Sequence, residues 1–320
     1  MFSTFLIPLL SLPLVLTRPL SPPNCSNVHI FLARGTGEEY PGFPDLTSTS
    51  ICSTISPALT CSSSSIHYRN YLDSTYCDSV QVGISRMGQQ VTAYNTHCPD
   101  TLLVLIGYSM GAQVVGDALA GVTAGNRSST LAECVVPEIA PTIAAGSKAA
   151  ERIAAAVLYA DPRHNKGAAF NDVDTLAPWG KQGAFYDGQV PRDEAELERL
   201  QQYSKRILSL CNYADPICAA SSQPNALNWT MHHDAAYRGK QFEDAVAFVL
   251  EKVYDAYTGL RKLEPEAERE ESDSSSTCLS SSSDSDSSSS EGSESVESTE
   301  ESSEEDAEKW WERYEKLPIG

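Results

Sequence analysis

Residues Leu102–Leu119 read "LLVLIGYSMGAQVVGDAL". A short unbroken apolar run, Leu102 to Ile106, stops at Gly107-Tyr108-Ser109-Met110-Gly111, and a segment with helical spacing follows. A run of that length closed by glycine suits a strand buried on both faces. The segment from Ser109 to Leu119 reads as a helix, so a serine sits where strand becomes helix. G-x-S-x-G at such a junction holds a hydroxyl clear of the sheet. Glycines flank it because side chains there would meet neighbouring backbone. The hydroxyl then lies at a helix N-terminus, where N–H groups and the dipole favour developing negative charge.

The same grammar extends in both directions. Val28 to Ala33, "VHIFLA", reads as a buried strand, followed by the glycine-rich "RGTGEEYPGFP". Val80, Ile84, Met87, Val91 and Tyr94 recur at helical spacing, which predicts a helix over Asp78 to Asn95. Glu151 to Ala160 runs into a further apolar stretch closed by Asp161-Pro162-Arg163, and Arg206 to Cys211 is another strand candidate. Gln241 to Tyr257 presents Phe242, Val246, Val249, Val253 and Tyr257 on one side, as a closing helix would. Strands alternating with helices predict an α/β fold: a three-layer α/β/α sandwich around a central, mainly parallel sheet.

Composition divides the 320-residue chain, whose net charge is −20, into three parts. Residues 1–20 carry an apolar run without charge until Arg18, too short for a membrane span and placed as a secretory signal peptide is placed. Residues 21–262 form one globular domain. Residues 263–320 are dominated by serine and acid and carry most of the negative charge. Such a segment buries too little apolar surface to offset its ordering entropy, so a disordered acidic tail is expected. It ends in "KWWERYEKLPIG", where Trp310, Trp311, Tyr314 and Leu317 lie near one face if helical. Nine cysteines and sequons at Asn24, Asn126 and Asn228 agree with secretion, eight cysteines pairing and one remaining. No Cys/His cluster has zinc spacing, and no basic surface suits nucleic acid.

A serine needs a base to take its proton and an acid to orient that base. On this architecture the chain order is Ser, Asp, His. His164 in "ADPRH", with Asp161 beside it, is one candidate set. Asp215 in "CNYADPIC" and His232 or His233 in "NWTMHHDAAYRG" form a better one, since a small disulfide loop would fix the acid and the base would precede the last helix.

The chain resembles the fungal cutinase and acetylxylan esterase family of serine esterases. The likeness rests on "FLARGTGEEYPG", "CPDTLLVLIGYSMGAQVVGD", "AAAVLYADPRH", "CNYADPIC" and "HHDAAYRGKQFEDAVAFV", in that order. It implies Ser109 as nucleophile and Asp215 as acid. Counting back from Tyr237 favours His233 as base, with His232 the alternative. It also implies an oxyanion site from Thr36 and the backbone N–H of Met110. Disulfides Cys25–Cys98, Cys211–Cys218, Cys52–Cys61 and Cys77–Cys134 follow from the same likeness, with Cys278 left over. The resemblance implies a secreted, monomeric carboxylic ester hydrolase acting without cofactor or metal on acetylated polysaccharide or cutin. The rival is a catalytically silent secreted protein whose acidic tail serves interaction or adhesion; a full set of Ser, Asp and His argues against it.

Overall fold

The computed structural model describes residues 25–72, 74–129, 131–172, 183–222 and 224–261. The expected signal peptide, Asn24, the acidic tail with Cys278 and the terminal aromatic cluster lie outside the described residues. Five strands form one wholly parallel sheet: β1 (Val28–Ala33), β2 (Cys61–Ser65), β3 (Leu102–Tyr108), β6 (Ile153–Tyr159) and β7 (Ile207–Leu210). The spatial order is β2-β1-β3-β6-β7. A separate hairpin, β4 (Gly125–Ser128) with β5 (Glu133–Val136), lies outside it.

Alternation along each strand sends side chains to opposite faces. Phe31, Ala33, Leu103, Leu105, Ala156 and Leu158 share one core with α2 (Tyr76–His97) and α3 (Met110–Ala120). Ile30, Leu32, Val104, Ile106, Val157 and Tyr159 share the other with α1 (Pro44–Ile55) and the last helix, Lys240–Arg261. Both faces are covered, which is why the strands read as continuous apolar runs rather than alternating ones. The three-layer α/β/α expectation holds.

The predicted strand Val28–Ala33 forms as read; the strand from Leu102 and the helices over Asp78–Asn95 and Gln241–Tyr257 run longer than predicted, the strands within Glu151–Ala160 and Arg206–Cys211 are shorter, and the helix after Ser109 is shifted by one residue. Strand β2, "CSSSS", carries no apolar signal because it is an edge strand whose serines serve as partners. His29 of β1 has Nδ1 2.7 Å from Ser62 Oγ and Nε2 2.9 Å from Ser64 Oγ. Its ring stacks on Tyr94, centroids 3.9 Å apart, and burial lowers its pKa to about 4.

Connectivity decides where a ligand can sit. From β1 the chain goes outward to β2, then crosses to β3 on β1's other side. The crevice at the carboxyl ends of β1 and β3 is therefore the topological switch point, where open α/β sheets bind ligands. Register aligns those ends: Ala33 pairs with Gly107, Tyr108 with Tyr159, and Tyr159 with Leu210. The loops beginning at Arg34, Ser109, Ala160 and Cys211 all leave the sheet along one edge.

Candidate active site

Ser109 occupies a backbone conformation rare for an L-residue, φ 55° and ψ −120°. Such strain persists only where surroundings over-determine it. Its N–H donates to the Tyr159 carbonyl (2.8 Å), and its own carbonyl accepts from Gln113 of α3 (3.1 Å). The flanking glycines are sterically required. A Cβ on Gly107 would lie 2.4 Å from the Gly111 carbonyl oxygen, and one on Gly111 would lie 1.9 Å from that of Ala33. The second contact also presses the end of β1 against the start of α3. That brings the Arg34–Glu38 loop beside the serine.

His232, not the expected His233, meets Ser109. Ser109 Oγ lies 3.0 Å from His232 Nε2, and His232 Nδ1 lies 3.0 Å from both Asp215 oxygens. His233 is exposed and caps the helical turn α6 (Asp234–Tyr237). Counting back from Tyr237 points to His233, four residues before it, but the histidine against Ser109 lies five residues before Tyr237, with His233 at the start of the intervening helical turn.

Asp215 is fully buried and its carboxylate is surrounded by donors. Tyr237 Oη donates to Oδ2 (2.7 Å), while the N–H groups of Ile217 (2.7 Å) and Cys218 (3.3 Å) donate to Oδ1. Burial pushes the Tyr237 hydroxyl well above its ordinary pKa, so it remains a donor. An acceptor-only carboxylate at Nδ1 requires the proton there and leaves the Nε2 lone pair free for the serine. Cys211 and Cys218 are paired and close the loop that carries Asp215.

Three aromatic and amide contacts escape a motif search. Tyr108, next to Ser109, donates its hydroxyl to the His232 carbonyl. Its ring lies nearly parallel to the imidazole, with centroids 5.6 Å apart. Asn212 Nδ2 donates to the Met231 carbonyl (3.0 Å), tying the loop of Asp215 to that of His232. Trp229 stands edge-on to His232 at 6.2 Å and is 57% exposed. The only sequence signal was the aromatic "x" of G-Y-S-M-G and the "NW" before the histidines.

The rival candidates are placed elsewhere. Asp161 accepts from Arg192 Nη1 (2.6 Å) and from the Arg163 N–H (2.9 Å). Arg163 and Arg192 both reach Asp117, and Arg163 reaches Glu196, all buried. His164 Nδ1 lies 2.9 Å from Ser209 Oγ, and burial lowers its pKa to about 4. Thr36 is half-buried in the turn after β1, and Met110 is the first residue of α3. The first N–H groups of a helix lack intrahelical partners, so that of Met110 is available. Glu38 closes the Thr36 loop, its pKa raised by burial and lowered by the Gly35 and Phe43 N–H groups. Cys25–Cys98, Cys52–Cys61 and Cys77–Cys134 are also paired.

Comparison with known proteins bears on this arrangement. The Cutinase family profile matches residues 24–253. An acetylxylan esterase of Hypocrea jecorina is 30% identical over 151 residues, which are 47% of this chain and only 43% of that protein. Acetylxylan esterase 2 of Talaromyces purpureogenus is 26% identical over 236 residues, covering 72% of this chain and 88% of that one. The catalytic core domain of acetyl xylan esterase from Trichoderma reesei superposes with a TM-score of 0.54 at 25% identity, covering 71% of this chain and 99% of that domain. The chain belongs to the Cutinase family of carboxylic ester hydrolases.

Proposed function

We propose that this chain is a secreted serine esterase that deacylates plant cell-wall polymers, acetylated polysaccharide first and cutin second. One observation carries it: the Ser109–His232–Asp215 chain of 3.0 Å contacts, set on a strained strand-to-helix turn. Ser109 Oγ attacks the ester carbonyl as its proton passes to His232 Nε2. Asp215 holds the imidazole and stabilises the imidazolium. Negative charge on the carbonyl oxygen falls to Thr36 and the Met110 N–H. The imidazolium then protonates the leaving alkoxide. Water, deprotonated by the same imidazole, releases the acid and restores the serine.

Substrate class is supported by the named relatives, two acetylxylan esterases among them. Secretion is supported by four disulfides, which persist in oxidising compartments. The test is turnover on acetylated xylan, a cutin-like polyester and p-nitrophenyl esters of rising chain length. Release of acetate from xylan, with activity falling as the acyl chain lengthens, is the expected outcome. Preference for long chains and the polyester would move the substrate to cutin. Inactivity on all three would sink the esterase reading and favour the silent, tail-driven alternative. A chain ended after Lys262 should keep its turnover on soluble esters.

A further inference from the structure

Thr36 makes no hydrogen bond among the described residues, yet its neighbours are gripped on both sides. Buried Asn70 does much of this. Its Nδ2 donates to the Gly35 carbonyl (2.6 Å) and to the Glu38 carbonyl (2.8 Å). Its own backbone carbonyl accepts from the Gly37 N–H (2.8 Å). One residue therefore holds positions 35, 37 and 38 and leaves 36 alone. Glu38 completes the grip, Oε2 accepting from Gly35 N–H (2.6 Å) and Oε1 from Phe43 N–H (2.9 Å). Arg34 is fixed as well: it donates to the Glu38 and Tyr68 carbonyls, while the Tyr68 hydroxyl donates to the Arg34 carbonyl.

A loop held on both sides of one donor residue is what transition-state stabilisation requires. Donors that need not reorganise as charge develops act in full at the moment of reaction. From this geometry we infer that Asn70 is a positioning residue, holding Thr36 ready for the oxyanion through the Gly35 and Glu38 carbonyls. This rests on the serine-esterase reading above.

Three readouts test it on Asn70→Ala, with Asn70→Ser as the second variant should alanine fail to fold. First, kcat on a soluble acetyl ester should fall about 10- to 100-fold with KM nearly unchanged, less than the 10²–10³ typical of deleting a donor. Second, the preference for an ester over the matching thionoester should shrink, because sulfur is the poorer acceptor and a slack site loses the distinction. The loss should be smaller in a Thr36→Ala background, since two changes acting through one group do not add. Third, amide exchange at Gly35 and Gly37 should accelerate, a measurement that needs no activity. Unchanged kcat, an unchanged ester-to-thionoester ratio, or unchanged exchange would overturn the assignment. A wild-type chain without esterase activity would instead refute the parent reading, and the exchange arm would still judge the clamp.

Discussion

The sequence A-D-P occurs at residues 160–162 and again at 214–216, and the fold treats the two copies alike up to a point. Both alanines adopt positive φ, 54° at Ala160 and 65° at Ala214. Both aspartates are buried at the carboxyl edge of the sheet. There the likeness ends. Asp161 faces the guanidinium of Arg192, in a buried cluster where Arg192 and Arg163 both reach Asp117 and Arg163 reaches Glu196. Asp215 faces an imidazole that is 15% exposed and ends on a hydroxyl at the open side. Identical turns thus set one carboxyl group against arginine and the other against a histidine that reaches Ser109. What separates them is whether the partner can pass a proton onward: arginine is never deprotonated in this range, and histidine is.

Substitution at the two aspartates should therefore separate activity from stability. Asp215→Asn keeps the shape and inverts the hydrogen bond to Nδ1, favouring the wrong tautomer. Turnover should drop on the order of 10⁴-fold with little change in Tm. Asp161→Asn should do the reverse, leaving Arg192 undercompensated and costing about 3–5 kcal/mol in denaturant unfolding. The folded fraction should retain turnover within about threefold, as expected of a change outside the hydrogen-bonded unit. Equal effects at both sites would erase the distinction.

The histidine beside the first turn sharpens the contrast. His164, which faces Asp161, Arg192, Asp187 and Asp215, is held neutral by burial, its pKa lowered to about 4. In the unfolded chain it would titrate near the ordinary value of about 6.5. Above that value both states are neutral and the contribution is complete. As pH falls from about 6.5 to 4 only the unfolded chain gains the proton, and stability drops by up to about 3 kcal/mol. His164→Gln should flatten this part of the stability–pH curve while leaving ester turnover at pH 7 nearly intact. An unchanged curve would show that His164 takes up its proton alike in the folded and unfolded chains, against a fold that holds it neutral.

The smallest effect belongs to Trp229. Its exposed indole beside His232 offers a flat apolar face to a bulky substrate. Trp229→Ala should raise KM several-fold on acetylated xylan, roughly the 1 kcal/mol scale of an aromatic contact, and hardly alter p-nitrophenyl acetate. A loss that instead grows with acyl chain length would assign the indole to the acyl side.

Much of this was legible in the chain. The buried strands announced themselves because both faces are covered, and Gly107 and Gly111 marked a turn that admits no Cβ. Ser109 and Asp215 could be named from local pattern, since each sits in a short rigid motif. Strand β2 could not, because its serines look like loop until His29 is placed opposite them. Helix α5 (Glu194–Gln201) was missed although Asp193 and Glu196 form a capping box, a signal that "DEAE" carries. Which of the adjacent histidines lies against Ser109 was not legible, because they differ only in where a helical turn begins, and His232 is placed by Tyr108, more than a hundred residues away in sequence. Asn70 was invisible for the same reason, acting on a loop more than 30 residues away in sequence.

Adjacent histidines supply the most direct test of the central claim, that one hydrogen-bonded chain from Ser109 through His232 to Asp215 performs the chemistry. Turnover of a short-chain p-nitrophenyl ester is measured for His232→Ala, His233→Ala and Ser109→Ala at pH 7, with folding checked by melting. His232→Ala should match Ser109→Ala, each losing on the order of 10⁴-fold or more, because such groups act as a unit. His233→Ala should stay within about threefold of the wild type, as befits an exposed residue. Full activity in folded His232→Ala, or a deep loss confined to His233→Ala, would contradict the account.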